Sequence, residues 1–217
     1  MQRAHAFTLG VTMSGSRLAI GMYENEITTR VADYFLVYDL ASATPMTPAL
    51  VPDNLRLGNT VDKGMISLSG STLLIGDRYD SEFGEGAGAG RLFDLSSATP
   101  GTPVRKLHHE TTGVNDNFGG RTDSRIDGMA MSGSRMVVAA PGAGLAYVYD
   151  FSTAVPSQPV LTLQPPSWPM VQGTTGGGTS TFGVTVAIDG ARVAVGSEEI
   201  TSAHSGSYVY IFDATDS

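Results

Sequence analysis

The densest run of reactive side chains spans residues 77–85, where Asp77, Arg78, Tyr79, Asp80, Ser81, Glu82, Phe83 and Glu85 share one short segment. Carboxylates, a guanidinium and two aromatic rings held this close could bind a cation or a polar ligand. The same composition suits a solvated loop leading into a glycine-rich hinge at Gly84, Gly86, Gly88 and Gly90. That glycine run is no nucleotide fingerprint, because no helix follows to present its N-terminus to a phosphate. His108-His109-Glu110 has the residue types of a metal site. On a strand, however, only His108 and Glu110 share a face, and two ligands are too few for a closed zinc centre. Asn115-Asp116-Asn117, followed by Asp123 and Asp127, offers oxygen ligands at a spacing that matches no calcium cage. Asx residues at turns commonly bond their own backbone instead. Trp168, the only tryptophan, sits among Pro165, Pro166 and Pro169. Its indole could stack on a sugar or a peptide, or fill a gap between packed units. The nucleophile elbow Gly-x-Ser-x-Gly, the phosphate loop Gly-Lys-Ser/Thr and His-Glu-x-x-His do not occur. No metal, cofactor or catalytic set is expected, although carboxylates from separate units could still meet at a shared axis.

The charge balance narrows the partners. A net charge of −8, with 13 basic against 21 acidic residues, argues against a nucleic acid, whose backbone needs clustered Lys and Arg. No apolar run is long enough to insert in a membrane, and Met1–Phe7 lacks the apolar core of a signal peptide. The chain is therefore expected either in the cytoplasm or trimmed of a leader. Without cysteine it has no disulfide framework and no thiolate site.

The elements that must hold these residues recur. Met-Ser-Gly-Ser-Arg appears at Met13–Arg17 and Met131–Arg135, with weaker copies at Leu68–Thr72 and Ile188–Arg192. Each is followed by an apolar stretch, a variable loop and a second stretch ending in aromatic-Asp, at Tyr38-Asp39, Phe93-Asp94, Tyr149-Asp150 and Phe212-Asp213. In the last copy, Phe182–Ile188 alternates as a first strand, Asp189-Gly190 supplies a type I′ hairpin turn, and Arg192–Gly196 returns. Tyr208–Phe212 is then a third strand. In three copies a Thr-Pro tail, or its Val155-Pro156 variant, leads to a fourth, outer strand, best seen at Val160–Leu163. The fold class is thus all-β: a single β-propeller domain, 1–217, of four units at approximately 7–53, 60–110, 117–166 and 181–217, with a period of about 55–60 residues. Most blades are expected to have four antiparallel strands. The last unit lacks its outer strand, which leaves two architectures. One is a four-bladed ring, and the other is an arc of a larger propeller whose apolar end faces would drive self-association.

Phe118-Gly119 and Phe182-Gly183, the degenerate Leu9-Gly10, and Ala139-Ala140-Pro141-Gly142 resemble the FG-GAP repeat of integrin α-type propellers, in the variant found in bacterial surface proteins. The resemblance implies a non-enzymatic module, extracellular or at the cell surface, that binds a protein or glycan through its loops. The calcium loop of the integrin type does not carry over, because its place is taken by Ser-Gly-Ser or Asp-Gly-Ala. The alternatives are a hydrolase or lyase with carboxylates at the central channel, and a self-assembling structural spacer. Loops between second and third strands differ most between copies. They nominate Tyr23, Glu24, Arg78, Tyr79, Asp80, Glu198 and Glu199 as binding residues.

Overall fold

A computed structural model of the chain describes residues 5–25, 34–51, 65–77, 80–108, 116–119, 128–153, 158–165, 179–200 and 205–215. These hold fourteen strands and no helix. The first sheet is β1 (His5–Ser14), β2 (Arg17–Asn25) and β3 (Tyr34–Asp39). The second is β4 (Ile66–Ser69), β5 (Thr72–Asp77), β6 (Ala89–Asp94) and β7 (Arg105–Leu107). The third repeats that order as β8 (Met129–Ser132), β9 (Arg135–Ala140), β10 (Leu145–Asp150) and β11 (Leu161–Leu163). The fourth is β12 (Thr179–Asp189), β13 (Arg192–Ile200) and β14 (Ser205–Asp213). All pairings inside the sheets are antiparallel, so each sheet is one propeller blade. In the first blade the described residues show, in place of an outer strand, a bridge between Val37 and Leu50.

The inner hairpins differ from the sequence expectation by one position. Ser14 pairs with Arg17, Ser69 with Thr72, Ser132 with Arg135 and Asp189 with Arg192. The two turn residues are therefore Gly15-Ser16 and its counterparts, ending with Gly190-Ala191. Only the glycine has a positive φ, near +60° in each copy. This is the type II′ pattern with glycine first, not type I′, because a second positive φ would burden an L-residue for which glycine alone is suited.

The other motif residues tie turn to strand end. The Asp of aromatic-Asp accepts a hydrogen bond from the backbone N–H two residues on, at Ala41, Ser96, Ser152 and Thr215 (2.8–3.0 Å). Ser16 and Ser134 donate from the hairpin to the same carboxylates, Asp39 and Asp150, and Arg135 adds an ion pair to Asp150 at 3.1 Å. The first serine of the motif reaches across to the following blade. Ser14 accepts from the Gly70 N–H, and Ser132 from the Gly190 N–H.

Register makes positions equivalent from blade to blade. On the face toward the preceding blade, Ile66, Met129 and Val186 correspond, as do Leu68, Met131 and Ile188. Phe93, Tyr149 and Phe212 are the matching aromatics before Asp. On the opposite face Leu92 corresponds to Val148, and Gly90 to Ala146. Three cores fill the seams so formed. Phe35, Val37, Leu73 and Phe93 join blades one and two. Leu74, Leu107, Met136 and Tyr149 join blades two and three, and Val137, Val148, Val193 and Val195 join three and four.

Phe118 and Phe182 are wedges in the second and third seams. The Phe118 N–H donates to the Ala87 carbonyl, and the Gly119 N–H to the Ala139 carbonyl, so Phe-Gly stitches one blade to the next. Gly88, at φ +81°, lies so close that an added Cβ would stand 2.4 Å from the Phe118 carbonyl oxygen. The glycine-rich segment therefore serves a close backbone approach. Inner strands pack in series, β1 on β4, β4 on β8 and β8 on β12, with no comparable packing of β12 on β1. The described blades form an open arc, not the closed four-bladed ring.

Candidate functional site

The second blade departs from its copies at the loop end, between β5 and β6. At the β6 position of Arg91, blade three has Tyr147, blade four Tyr210 and blade one Leu36. At the β5 position of Asp77, the counterparts are Ala140, Ser197 and Met22. Uncharged side chains in the other three blades have thus been exchanged for an ion pair in the second. At the equivalent position in blade three, burial and then the Asp116 carboxylate push the Tyr147 hydroxyl up to about 12.

Asp77 is nearly fully buried and pairs with Arg91 at 2.9 Å. Arg91 also reaches Asp80 at 3.4 Å, and Lys106 on β7 reaches Asp80 at 2.6 Å and bonds Glu82 as well. Strand register places Arg91 opposite Lys106, so both cations project from the same face of the blade. Burial alone would lower the Lys106 pKa, but its hydrogen bonds to Asp80 and Glu82 outweigh that and leave it above the ordinary value. Among the described residues, buried Asp77 Oδ1 and Arg91 Nε have no hydrogen-bond partner.

This network anchors the loop from below. Asp80 accepts from the Glu82 N–H at 3.1 Å, and the Gly88 N–H donates to the Asp80 carbonyl at 3.0 Å. Phe83 stacks on His108 with ring centroids 3.6 Å apart, and the Lys106 ammonium lies 5.8 Å from the Phe83 centroid. Glu82 and Phe83 stay exposed above this base. A fixed carboxylate, an aromatic edge and a shared ammonium can grip a polar side chain.

The nominated residues that are described, Tyr23, Glu24, Asp80, Glu198 and Glu199, fall on three different blades. Tyr23 and Glu24 lie in β2, paired with Phe7 and Ala6, so they are strand residues and not loop residues. Glu198 and Glu199 likewise belong to β13, with Glu198 opposite Ser207 in the last blade. Asp80 belongs to the second-blade network, while Arg78 and Tyr79 lie outside the described residues. So do Trp168, His109, Glu110 and Asn115. Sequence reasoning passed over Arg91 and Lys106, whose only signal was a cation in strands otherwise apolar or neutral at those positions. His108, for which the sequence offered too few companion ligands for a zinc centre, stacks on Phe83. Among the described residues no three metal-ligating side chains group together. The inner strands β1, β4 and β8 carry no Asp or Glu, and β12 only Asp189 at its turn.

No protein-family model matches the chain, and no curated protein matches it. Among solved structures it is similar to the β-propeller domain of the trilobed protease from Pyrococcus furiosus, described as having an open velcro topology. The TM-score is 0.50 at 8% identity, over 96% of this chain and 55% of that one. The chain thus spans about half the length of that propeller. The likeness agrees with the four antiparallel sheets: the fold is a β-propeller.

Proposed function

We propose that the chain is a non-enzymatic recognition scaffold that binds a protein or glycan through the loop end of its blades, centred on Glu82, Phe83 and Lys106. The carrying observation is the ion-pair network of Asp77, Asp80, Arg91 and Lys106, which in one blade stands where the others carry uncharged side chains at the Asp77 and Arg91 positions, and which holds an exposed loop. Burying charge in a seam costs stability relative to an apolar pair, and a fixed loop lowers the ordering cost of binding. Between the two ligand classes the geometry favours protein. The His108 ring covers one face of Phe83, which a sugar would otherwise use for stacking, and Glu82 suits a basic side chain. The likeness of Phe118-Gly119 and Phe182-Gly183 to FG-GAP repeats supports an extracellular or cell-surface setting.

Peptide and glycan arrays probed with the purified chain test this. Saturable binding to basic peptides is expected, weakened at least about tenfold by Phe83→Ala or Glu82→Lys and unchanged by Thr47→Ala at the opposite end. No binding on either array, or binding indifferent to residues 82 and 83, would refute the assignment. Glycan binding lost in Phe83→Ala would keep the site and change the ligand class. For the cellular setting, detection of the protein only inside intact producing cells would count against it.

A further inference from the structure

The two end faces of the arc match, position for position, the two sides of an internal seam. On the first blade, Val11 pairs with Ile20 and Met13 with Leu18, which places them where Ile66 and Leu68 stand in the second blade. Leu36 and Tyr38 continue this surface, Tyr38 being the aromatic before Asp that faces the preceding blade in every other copy. On the last blade, Ile211 stands where Val37, Leu92 and Val148 stand, and Val209 where Phe35, Gly90 and Ala146 stand. Those internal counterparts are all buried or nearly so. At the ends, Val11 and Met13 are 59% and 63% exposed, and Val209 and Ile211 are each 67% exposed.

Repeat arrays that end in water usually close with a polar face. Here the described centres of both end faces are apolar, without charge to discourage association. Each face has the register of a surface that the chain already packs three times within itself. A leading face and a trailing face on the same chain complete one another in a head-to-tail sense, which closes into a ring if the rotation allows. Two chains would supply eight blades, inside the range of about four to eight for propellers, whereas three would exceed it. The chain also aligns to only about half of the propeller it resembles.

We propose that two copies of this chain associate head to tail, blade four of each on blade one of the other, to complete an eight-bladed propeller. The contact joins Val209 and Ile211 of one copy to the surface of Val11, Met13 and Tyr38 of its partner. It does not depend on what the loops bind.

Sedimentation and light scattering of the purified chain, from about 1 to 100 µM, read this directly. The expected mass is twice 22.6 kDa. Met13→Glu and Ile211→Glu sit on opposite faces and at exposed positions, so each should keep the β-sheet spectrum. Each alone should give a monomer, because every contact in the ring uses both faces. A symmetric contact through one face would be lost in only one of the two variants. A monomeric parent at every concentration, a dimer that survives either substitution, or a ladder of larger species overturns the proposal. A monomer would assign these faces to further blades or to another protein.

Discussion

Asp39, Asp94, Asp150 and Asp213 show how one side chain can close a repeat. Each carboxylate accepts from the backbone two residues on, and in the last three the neighbouring hydroxyl adds a bond of 2.6 Å. Hydrogen bonds from Ser152 hold the Asp150 carboxyl well below the usual range, with Ser134 and Arg135 adding to the effect. Ser96 and Thr215 lower Asp94 and Asp213 in the same way. A folded pKa below the unfolded value of ~3.9 contributes stability that is fully present above that value and lost as pH falls toward the folded one. The thermal midpoint should therefore be flat from about pH 7 to 5 and fall below about pH 4. Asp150→Ala should cost about 1–3 kcal/mol at neutral pH and make the acid limb shallower. Melts followed by circular dichroism across pH check both, and an unchanged acid limb would remove this role from Asp150.

At the scale of elements, Phe-Gly acts as the joint between blades. Phe118 is buried between β6 and β10, 5.9 Å from the Tyr147 ring centroid and 6.3 Å from that of Tyr149. Its truncation to alanine should cost about 3–5 kcal/mol, as for other large core aromatics. Two glycines of like backbone offer a sharper comparison. Gly15, at φ +58°, faces open space, whereas a Cβ at Gly88 would meet the Phe118 backbone. Gly15→Ala should cost about 1 kcal/mol, the expense of the left-handed conformation alone. Gly88→Ala should cost at least about 2 kcal/mol, because the blade-to-blade approach must open as well. Equal losses in denaturant titrations would show that the approach contributes nothing.

For the whole molecule, the series of seams sets a gradient of stability. Blades two and three are packed on both faces, while blades one and four are each packed on one. In such an array local opening is easiest at the ends. Amide exchange in dilute solution should be slowest in β5, β6, β9 and β10 and faster in β2 and β14. Raising the concentration should slow β2 and β14 selectively, because association covers the end faces. A uniform profile, indifferent to concentration, would mean that the end blades are held by something other than their seams.

The repeat, the strands and the hairpin glycines were legible in the sequence because they depend on local chemistry. Alternation with period two, glycine at a turn and aromatic-Asp at a strand end act over a few residues. The second-blade site was only half legible. Asp77 and Asp80 stood out as charges, but their partners Arg91 and Lys106 are 11 to 26 residues away and are brought in by strand register. The turn type escaped because it depends on where pairing stops, a matter of one residue. The sequence leaned to the closed four-bladed ring, whereas the described blades form an arc, since closure depends on how blade packing accumulates over the whole chain. Only the tertiary structure placed Val11, Met13, Val209 and Ile211 in the open while burying or half-burying their equivalents, because burial belongs to neighbours and not to residue types.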